Sequence, residues 1–231
     1  MDLGRFEVLT FDCYGTLIDW ESGINAAFAP ILGSLPAAPG RDALLETYAR
    51  HEQAAESGAY LPYRQVLANA CRGVCVEFGV QPREEDVRAF VESIGQWPAF
   101  PDTSAALQRL AARYRLGVIT NCDDDLFELS RQRLGTRFDW VITAEQARSY
   151  KPDRRNFELA LRTIRRPKEA ILHVAQSLYH DHVPAQELGL ATAWIDRRRG
   201  QPGFGATPVA SAEPDLVLPD LRSLAGLAVP D

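Results

Sequence analysis

The stretch Phe6–Trp20 constrains this chain more than any other. As far as Phe11 it is apolar and rich in β-formers, the composition of a short strand buried in a parallel sheet and too short to cross a membrane. The run stops at Asp12, and Gly15 and Thr16, which suit a tight turn, follow at once. A carboxylate so placed stands at the carboxyl edge of a sheet, where open α/β folds hold their ligands. Backbone N–H groups of the turn can hold a substrate anion beside it. The competing reading of a lone Asp here is a cap on the following turn.

After Trp20 the pattern is helical for a long way. Ile24, Ala27, Phe28 and Ile31 repeat at helical spacing, and a Pro/Gly-rich break follows at Leu35–Gly40. Helical segments come next over Asp42–Glu56, Pro62–Phe78 and Arg83–Ile94, the last opening with acids that suit a helix amino end. Gly95–Pro101, with two prolines, reads as a hinge. Beyond it the strand candidates Leu116–Thr120, Trp140–Thr143, Ala170–Ala175, Ala191–Ile195 and Asp215–Leu218 are mostly separated by helix-length segments. Gly200–Pro214 reads as a surface loop before the last strand.

Strands alternating with helices predict an α/β fold, with a Rossmann-like parallel sheet covered on both faces. The helical block after the first strand predicts an inserted cap subdomain over the carboxyl edge. The expected division is a core of residues 1–19 and 98–231 and a helical cap of residues 20–97. A chain of 231 residues is long enough for one such core with an insertion. A net charge of −6 gives no electrostatic reason to bind nucleic acid. No basic amino-terminal segment leads into an apolar run, and no apolar run approaches spanning length. A cytoplasmic protein with neither nucleic-acid nor membrane partners is expected. Cys13, Cys71, Cys75 and Cys122 show neither disulfide nor zinc spacing, and Cys71 and Cys75 read as one buried helix face.

Three later places add chemistry to Asp12. The second strand candidate ends in Thr120-Asn121, a hydroxyl and an amide that can hold an anionic substrate group in line with Asp12. Asp123, Asp124 and Asp125 behind them read as helix-capping acids. Lys151 precedes Pro152, which suits the start of a helix near Asp153, and a cation beside Asp12 would keep it ionised. The segment from His173 to Val183 leaves a strand and enters a helix. His173, His180 and His182 are of metal-ligand type, but near neighbours on a helix diverge. A supporting hydrogen bond from one His is expected there rather than a metal site.

The string Asp12-Cys13-Tyr14-Gly15-Thr16-Leu17 resembles the first motif of the haloacid dehalogenase superfamily, Asp-x-x-Gly-Thr-Leu. The resemblance extends over essentially the whole chain. It makes Asp12 a covalent nucleophile, Thr120 the second motif and Lys151 the third, and Thr120-Asn121 resembles the Ser-Asn pair of the L-2-haloacid dehalogenases. Phosphatases of that superfamily usually carry Gly-Asp in the fourth motif, with a second Asp five residues on. Here Gln176 stands at the first place and Asp181 at the second. Magnesium wants hard oxygen ligands, and Gln176 brings no charge. Those phosphatases also need an Asp two residues after the nucleophile to protonate a leaving alcohol. This chain has Tyr14 there, as the dehalogenases do, and a halide needs no proton to leave. No metal or other cofactor is therefore expected.

The resemblance implies hydrolytic dehalogenation of small 2-halo carboxylic acids through an aspartyl ester. Thr120, Asn121 and the turn amides would hold the substrate carboxylate, and Lys151 would steady Asp12. Gln176 and Ser177 would line the substrate edge, and Asp181 would orient and activate water. Tyr14 and an Arg of the cap would cradle the halide: Arg50 first, with Arg64 beside Tyr63 as second candidate. Trp97 and Phe100 either wall the pocket or anchor the cap. This departs from the dehalogenases' Ser/Asn-rich fourth motif, which His180-Asp181-His182 replaces. One rival is a magnesium-dependent phosphatase of small metabolites using Asp12, Gln176 and Asp181. The other is an idle scaffold for interactions, against which the full set Asp12, Thr120 and Lys151 argues. A small molecule is the expected partner, and a homodimer is left open.

Overall fold

A computed structural model describes residues 1–33, 35–201 and 205–230. Its strands are β1 (Val8–Phe11), β2 (Arg115–Thr120), β3 (Trp140–Thr143), β4 (Ile171–Ala175), β5 (Ala191–Ile195) and β6 (Leu216–Leu218). They form one six-stranded sheet in the order β3-β2-β1-β4-β5-β6, and every pairing is parallel. All four residues of β1 are buried, as a central strand covered on both faces requires. Leu9 and Phe11 join the larger apolar core on one face, while Val8 packs with Ile119, Ile142 and Phe157 on the other.

Between β1 and β2 lie only helices: α1 (Trp20–Leu32), α2 (Arg41–Glu56), α3 (Tyr63–Glu77), α4 (Glu84–Glu92) and a 3-10 turn, Ser93–Gln96. Glu84, Glu85 and Asp86 occupy the first turn of α4, where the helix dipole favours them. The sheet is flanked by α5 (Thr103–Ala111), α6 (Asp124–Leu134), α7 (Ala144–Ala147), α8 (Arg155–Ile164), α9 (Val183–Glu187) and α10 (Leu221–Ala228). Two boundaries differ from expectation. Pro152 does not open a helix, because α8 begins only at Arg155. The fourth motif enters a π-helical turn, Leu178–His182, before α9, with Ser177 Oγ capping it by accepting from His180 N–H. Of the loop expected over Gly200–Pro214, residues 202–204 lie outside the described residues, and no strand or helix is formed over 205–214. No helix among the described residues is long and apolar enough to cross a membrane.

The chain leaves and re-enters the sheet side by side. Asp19 N–H donates to the Pro98 carbonyl at 2.8 Å and Phe100 N–H to the Leu17 carbonyl at 3.1 Å, with Ile18 bridged antiparallel to Ala99. Trp97 is buried against Gly23, where a Cβ would lie 2.2 Å from the indole, so only glycine admits this approach. Trp97 also meets Tyr14 edge-on, and Phe100 lies under Arg197. Trp97 therefore anchors the helical block, whereas the ring of Phe100 packs on the sheet side, against Arg197.

Asp123 ties the two parts together in an unexpected way. It precedes α6 but makes no side-chain cap there. Its carboxylate instead accepts from the N–H groups of Tyr63 and Arg64 at 2.9 and 3.1 Å, capping α3 across the cleft. Only Asp124 serves its neighbourhood, accepting from Thr143 and Gln146. Asp123→Ala should cost about 1 kcal/mol, the usual worth of an amino-terminal cap. Hydrogen exchange should then speed up at the start of α3 while the β1 and β4 amides stay protected.

Candidate active site

Asp12 follows β1, and Gly15, at φ 93°, turns the chain back over it, a conformation that favours glycine. Lys151 Nζ donates to Asp12 Oδ1 at 2.8 Å, to Asp181 Oδ1 at 2.7 Å and to the Ile119 carbonyl at 2.9 Å. An ammonium has three N–H donors, and all three are engaged. Thr16 Oγ1 donates to Asp12 Oδ2 at 2.7 Å and accepts from Gln176 N–H at 2.8 Å, joining the turns after β1 and β4. The His173 ring lies between Thr10 Oγ1 and Asp181 Oδ1, 3.0 Å from each. Asp181 Oδ2 and Thr120 Oγ1 are buried with no partner among the described residues.

Burial dominates the electrostatics. It pushes the Asp12 carboxyl up, Lys151 pulls it back, and the Asp181 charge adds to the rise. For Asp181 burial works against the charge, but Lys151 and His173 outweigh it and hold the carboxyl well below the usual range. Lys151 is likewise opposed by burial, yet the two carboxylates hold it above the usual lysine range. Burial lowers His180 to about 4, so its ring is neutral at neutral pH.

Asp12, Lys151, Asp181 and His180 open on one pocket, which Thr120 and His173 do not line, with an empty volume of about 420 Å3 including its mouth. Asp12, Asn121, Lys151, Gln176, Ser177 and Asp181 line it from the strand ends, as do Tyr14 and His180. Trp20, Glu52, Glu56 and Tyr63 line it from the helical block. Thr207, from the loop before β6, closes one side and donates to Gln176 Oε1 at 3.3 Å.

Several expected roles change. Arg50 does not reach the pocket: its exposed side chain pairs with Glu77 and donates to the Glu46 carbonyl. Arg64 is also turned out, 2.6 Å from Asp125. The reason is helical phase. Tyr48, Glu52 and Glu56 are four apart on α2 and share the inward face, whereas Arg50 falls between them on the other side. Asn121 faces the pocket, but its amide is doubly bonded to the backbone of Lys151, accepting from N–H at 2.7 Å and donating to the carbonyl at 3.1 Å. It orients the lysine. Tyr14 presents its ring, while its hydroxyl lies 2.8 Å from Ser130 Oγ. His173 is the histidine that supports Asp181, and His182 instead bonds the Ala175 carbonyl.

The donor set does not suit magnesium. Both Asp12 oxygens already accept hydrogen bonds, Lys151 stands between Asp12 and Asp181, and Gln176 offers a neutral oxygen already held by Thr207.

Thr16, Glu52, Glu56 and Thr207 were not foreseen. Glu52 Oε1 accepts from the Tyr48 and Tyr63 hydroxyls at 2.8 and 2.6 Å. Burial nevertheless raises its carboxyl to about 7. Burial and the charge of Glu52 also raise Glu56 well above the usual carboxylate range, against a smaller pull from Lys151. The repeat of Tyr48, Glu52 and Glu56 was a readable signal for these acids. Thr207 had none.

A family model for haloacid dehalogenase-like hydrolases matches residues 6–178. The (S)-2-haloacid dehalogenase H-109 of Pseudomonas putida is 28% identical over 212 residues, 87% of this chain and 91% of its own length. The haloacetate dehalogenase H-2 of Moraxella sp. (strain B) is 25% identical over 232 residues, 96% of this chain and 98% of that one. In structure, the L-2-haloacid dehalogenase of Xanthobacter autotrophicus with chloropropionic acid covalently bound superposes with a TM-score of 0.81 at 19% identity, covering 96% of this chain and 98% of that one.

The raised Glu52 carboxyl makes a stability prediction. Its proton stays on in the folded chain after the unfolded chain has lost it. That contribution is therefore fully present below the ordinary glutamate range and disappears as the pH climbs to about 7. Glu52→Gln should abolish this slope. At pH 8 the variant should be more stable than the parent, by on the order of 3 kcal/mol at most, and near parity at pH 4. Denaturation midpoints at the two pH values measure it.

Proposed function

Because this chain belongs to the haloacid dehalogenase-like hydrolases, we propose that it hydrolyses the carbon–halogen bond of small 2-halo carboxylic acids to 2-hydroxy acids, through an ester on Asp12. One observation carries the proposal: a buried Asp12, steadied by Lys151 and Thr16, faces a small pocket that offers no acid two residues on and no site for magnesium. The names of the relatives support the same chemistry. In this reading residues 1–19 and 98–231 form the core and residues 20–97 a cap over it, in a cytoplasmic enzyme.

Asp12 attacks the carbon bearing the halogen, and the halide leaves away from the strand ends, towards the helical block. The turn amides of Cys13 and Tyr14 take the substrate carboxylate, while Thr120, whose buried hydroxyl has no partner among the described residues, does not line the pocket. Asn121 acts one step back, by fixing Lys151. Asp181, held ionised by Lys151 and His173, presents its unpartnered Oδ2 to the water that attacks the ester. Ser177 and Gln176 shape the same edge, and Tyr14 offers its ring to the halogen.

Single-turnover hydrolysis of bromoacetate in heavy-oxygen water should place label in Asp12 before product. Label entering product directly, with the Asp12 peptide light, would remove the ester. Asp12→Asn should abolish halide release with the fold intact, and release by the parent should survive exhaustive chelation. The acid limb of kcat/KM should lie above the ordinary aspartate range, because only the ionised carboxylate attacks and burial raises Asp12.

A further inference from the structure

A 2-halo carboxylate is an anion, and the pocket that the proposed dehalogenation uses is poorly matched to an anion alone. Asp12, Glu52, Glu56 and Asp181 line it, while Lys151 is the one Lys or Arg among the described lining residues. The three N–H donors of that lysine are taken by Asp12, Asp181 and the Ile119 carbonyl. His180 is neutral at neutral pH, and Arg50 and Arg64 are paired outside the pocket. The turn amides after Asp12 can hold one carboxylate, but no cation among the described lining residues answers the two glutamates of the helical side.

Those glutamates are placed to meet a ligand. Glu52 is buried, and its Oε1 accepts from the Tyr48 and Tyr63 hydroxyls, which fixes the carboxyl and leaves Oε2 without a hydrogen bond among the described residues. Glu56, one turn further along α2 on the same face, has no hydrogen-bond or ion-pair partner among the described residues. Trp20 and Tyr63 line the space beside them. Aromatic rings attract a cationic nitrogen through the negative charge of their faces, and quaternary ammonium groups are held in this way. A second feature, independent of the acids, marks this wall as one that takes a ligand. Trp20 is 7% exposed, yet its indole N–H has no acceptor among the described residues, where a buried tryptophan usually finds one. A zwitterion supplies both missing partners, an acceptor for Trp20 and a cation for the glutamates.

We infer that the substrate class of this pocket is 2-halo carboxylic acids whose side chain carries a cationic nitrogen, held by Glu52 and Glu56 beside the rings of Trp20 and Tyr63. The inference rests on the dehalogenase reading above and leaves its chemistry unchanged: Asp12 displaces the halide, and water opens the ester. What it adds is a second point of attachment. The carboxylate at the turn amides and the cation at the glutamates hold the substrate at two ends, with the halogen-bearing carbon between them, facing Asp12. The charges also balance. A zwitterionic substrate brings no net charge, and its cation offsets two carboxyls that have no other counter-charge among the described lining residues. Glu56 also lines an outer cleft with Gly58 and Tyr60, so the cationic end lies towards the way in.

The probes are 2-bromo-4-(trimethylammonio)butanoate, its homologue one methylene longer, and the uncharged isosteres of both with tert-butyl in place of trimethylammonio. Bromoacetate is the small reference, and the full-length chain is used throughout. In the parent, kcat/KM for bromide release should favour a cation over its isostere by about 30-fold, the worth of one desolvated contact between a cation and an aromatic wall. Glu52→Gln and Glu56→Gln, both nearly isosteric, should each shrink that ratio about fivefold, with the loss carried by KM of the cationic substrate. A parent that debrominates bromoacetate but shows no preference for the cation at either chain length overturns the inference and leaves the dehalogenase reading standing. A ratio unmoved in both variants, or equal losses on cation and isostere, puts the cation elsewhere and overturns it as well. A parent that releases bromide from none of the substrates removes the dehalogenase reading, and the inference with it.

Discussion

The site depends on a single buried ammonium. Lys151 contacts a carboxylate after β1, a carbonyl of β2 and a carboxylate after β4, so three adjacent strands meet at one nitrogen. The sheet register makes this possible. Phe11 pairs with Val118 on one side and Val174 on the other, so Asp12, Ile119 and the turn after Ala175 arrive at the same level. Burying an ammonium costs several kcal/mol even after relaxation, and only close opposite charges offset it. Two carboxylates at 2.7 and 2.8 Å do so here. Removing the lysine would leave both buried without a counter-charge, a loss of about 3–5 kcal/mol. Asn121, by holding the Lys151 backbone at both its N–H and its carbonyl, fixes where that charge sits.

How much of this was legible follows from how local each signal is. Short apolar runs and strand-helix alternation depend on neighbours along the chain, and the six parallel strands stood where those patterns put them, within a residue or two. The clustering of Asp12, Lys151 and Asp181 needed the motif spacing as well, because the lysine is 139 residues from the aspartate it touches. What the sequence hid were contacts between helical block and sheet. Asp123 looks like a cap for the helix it precedes and caps a helix 60 residues earlier. Arg50 has the right charge on the right helix, but the inward face is set by Tyr48 and Glu52, half a turn away. Thr207 sits in a loop with no periodicity, so nothing marked it as a neighbour of Gln176.

The helical face of the pocket then poses a question of charge balance. Asp12, Asp181, Glu52 and Glu56 line one small space with Lys151 as their only fixed cation among the described lining residues. Four ionised carboxyls around one ammonium would be strongly unfavourable at low dielectric, so protons must take up part of the charge. Asp181 cannot carry one readily, since Lys151 and His173 both favour its ionised form. Asp12 has Lys151 and Thr16 as donors, whereas Glu52 has only neutral phenols and Glu56 has no hydrogen-bond donor among the described residues. Burial accordingly raises both glutamates, Glu52 to about 7 and Glu56 well above the usual carboxylate range. The consequence is a division of the pocket by charge: two aspartates sharing a cation on the strand side, and two glutamates raised by burial with no cation among the described lining residues on the helical side. An incoming carboxylate substrate adds one more negative charge and tightens the hold on those protons.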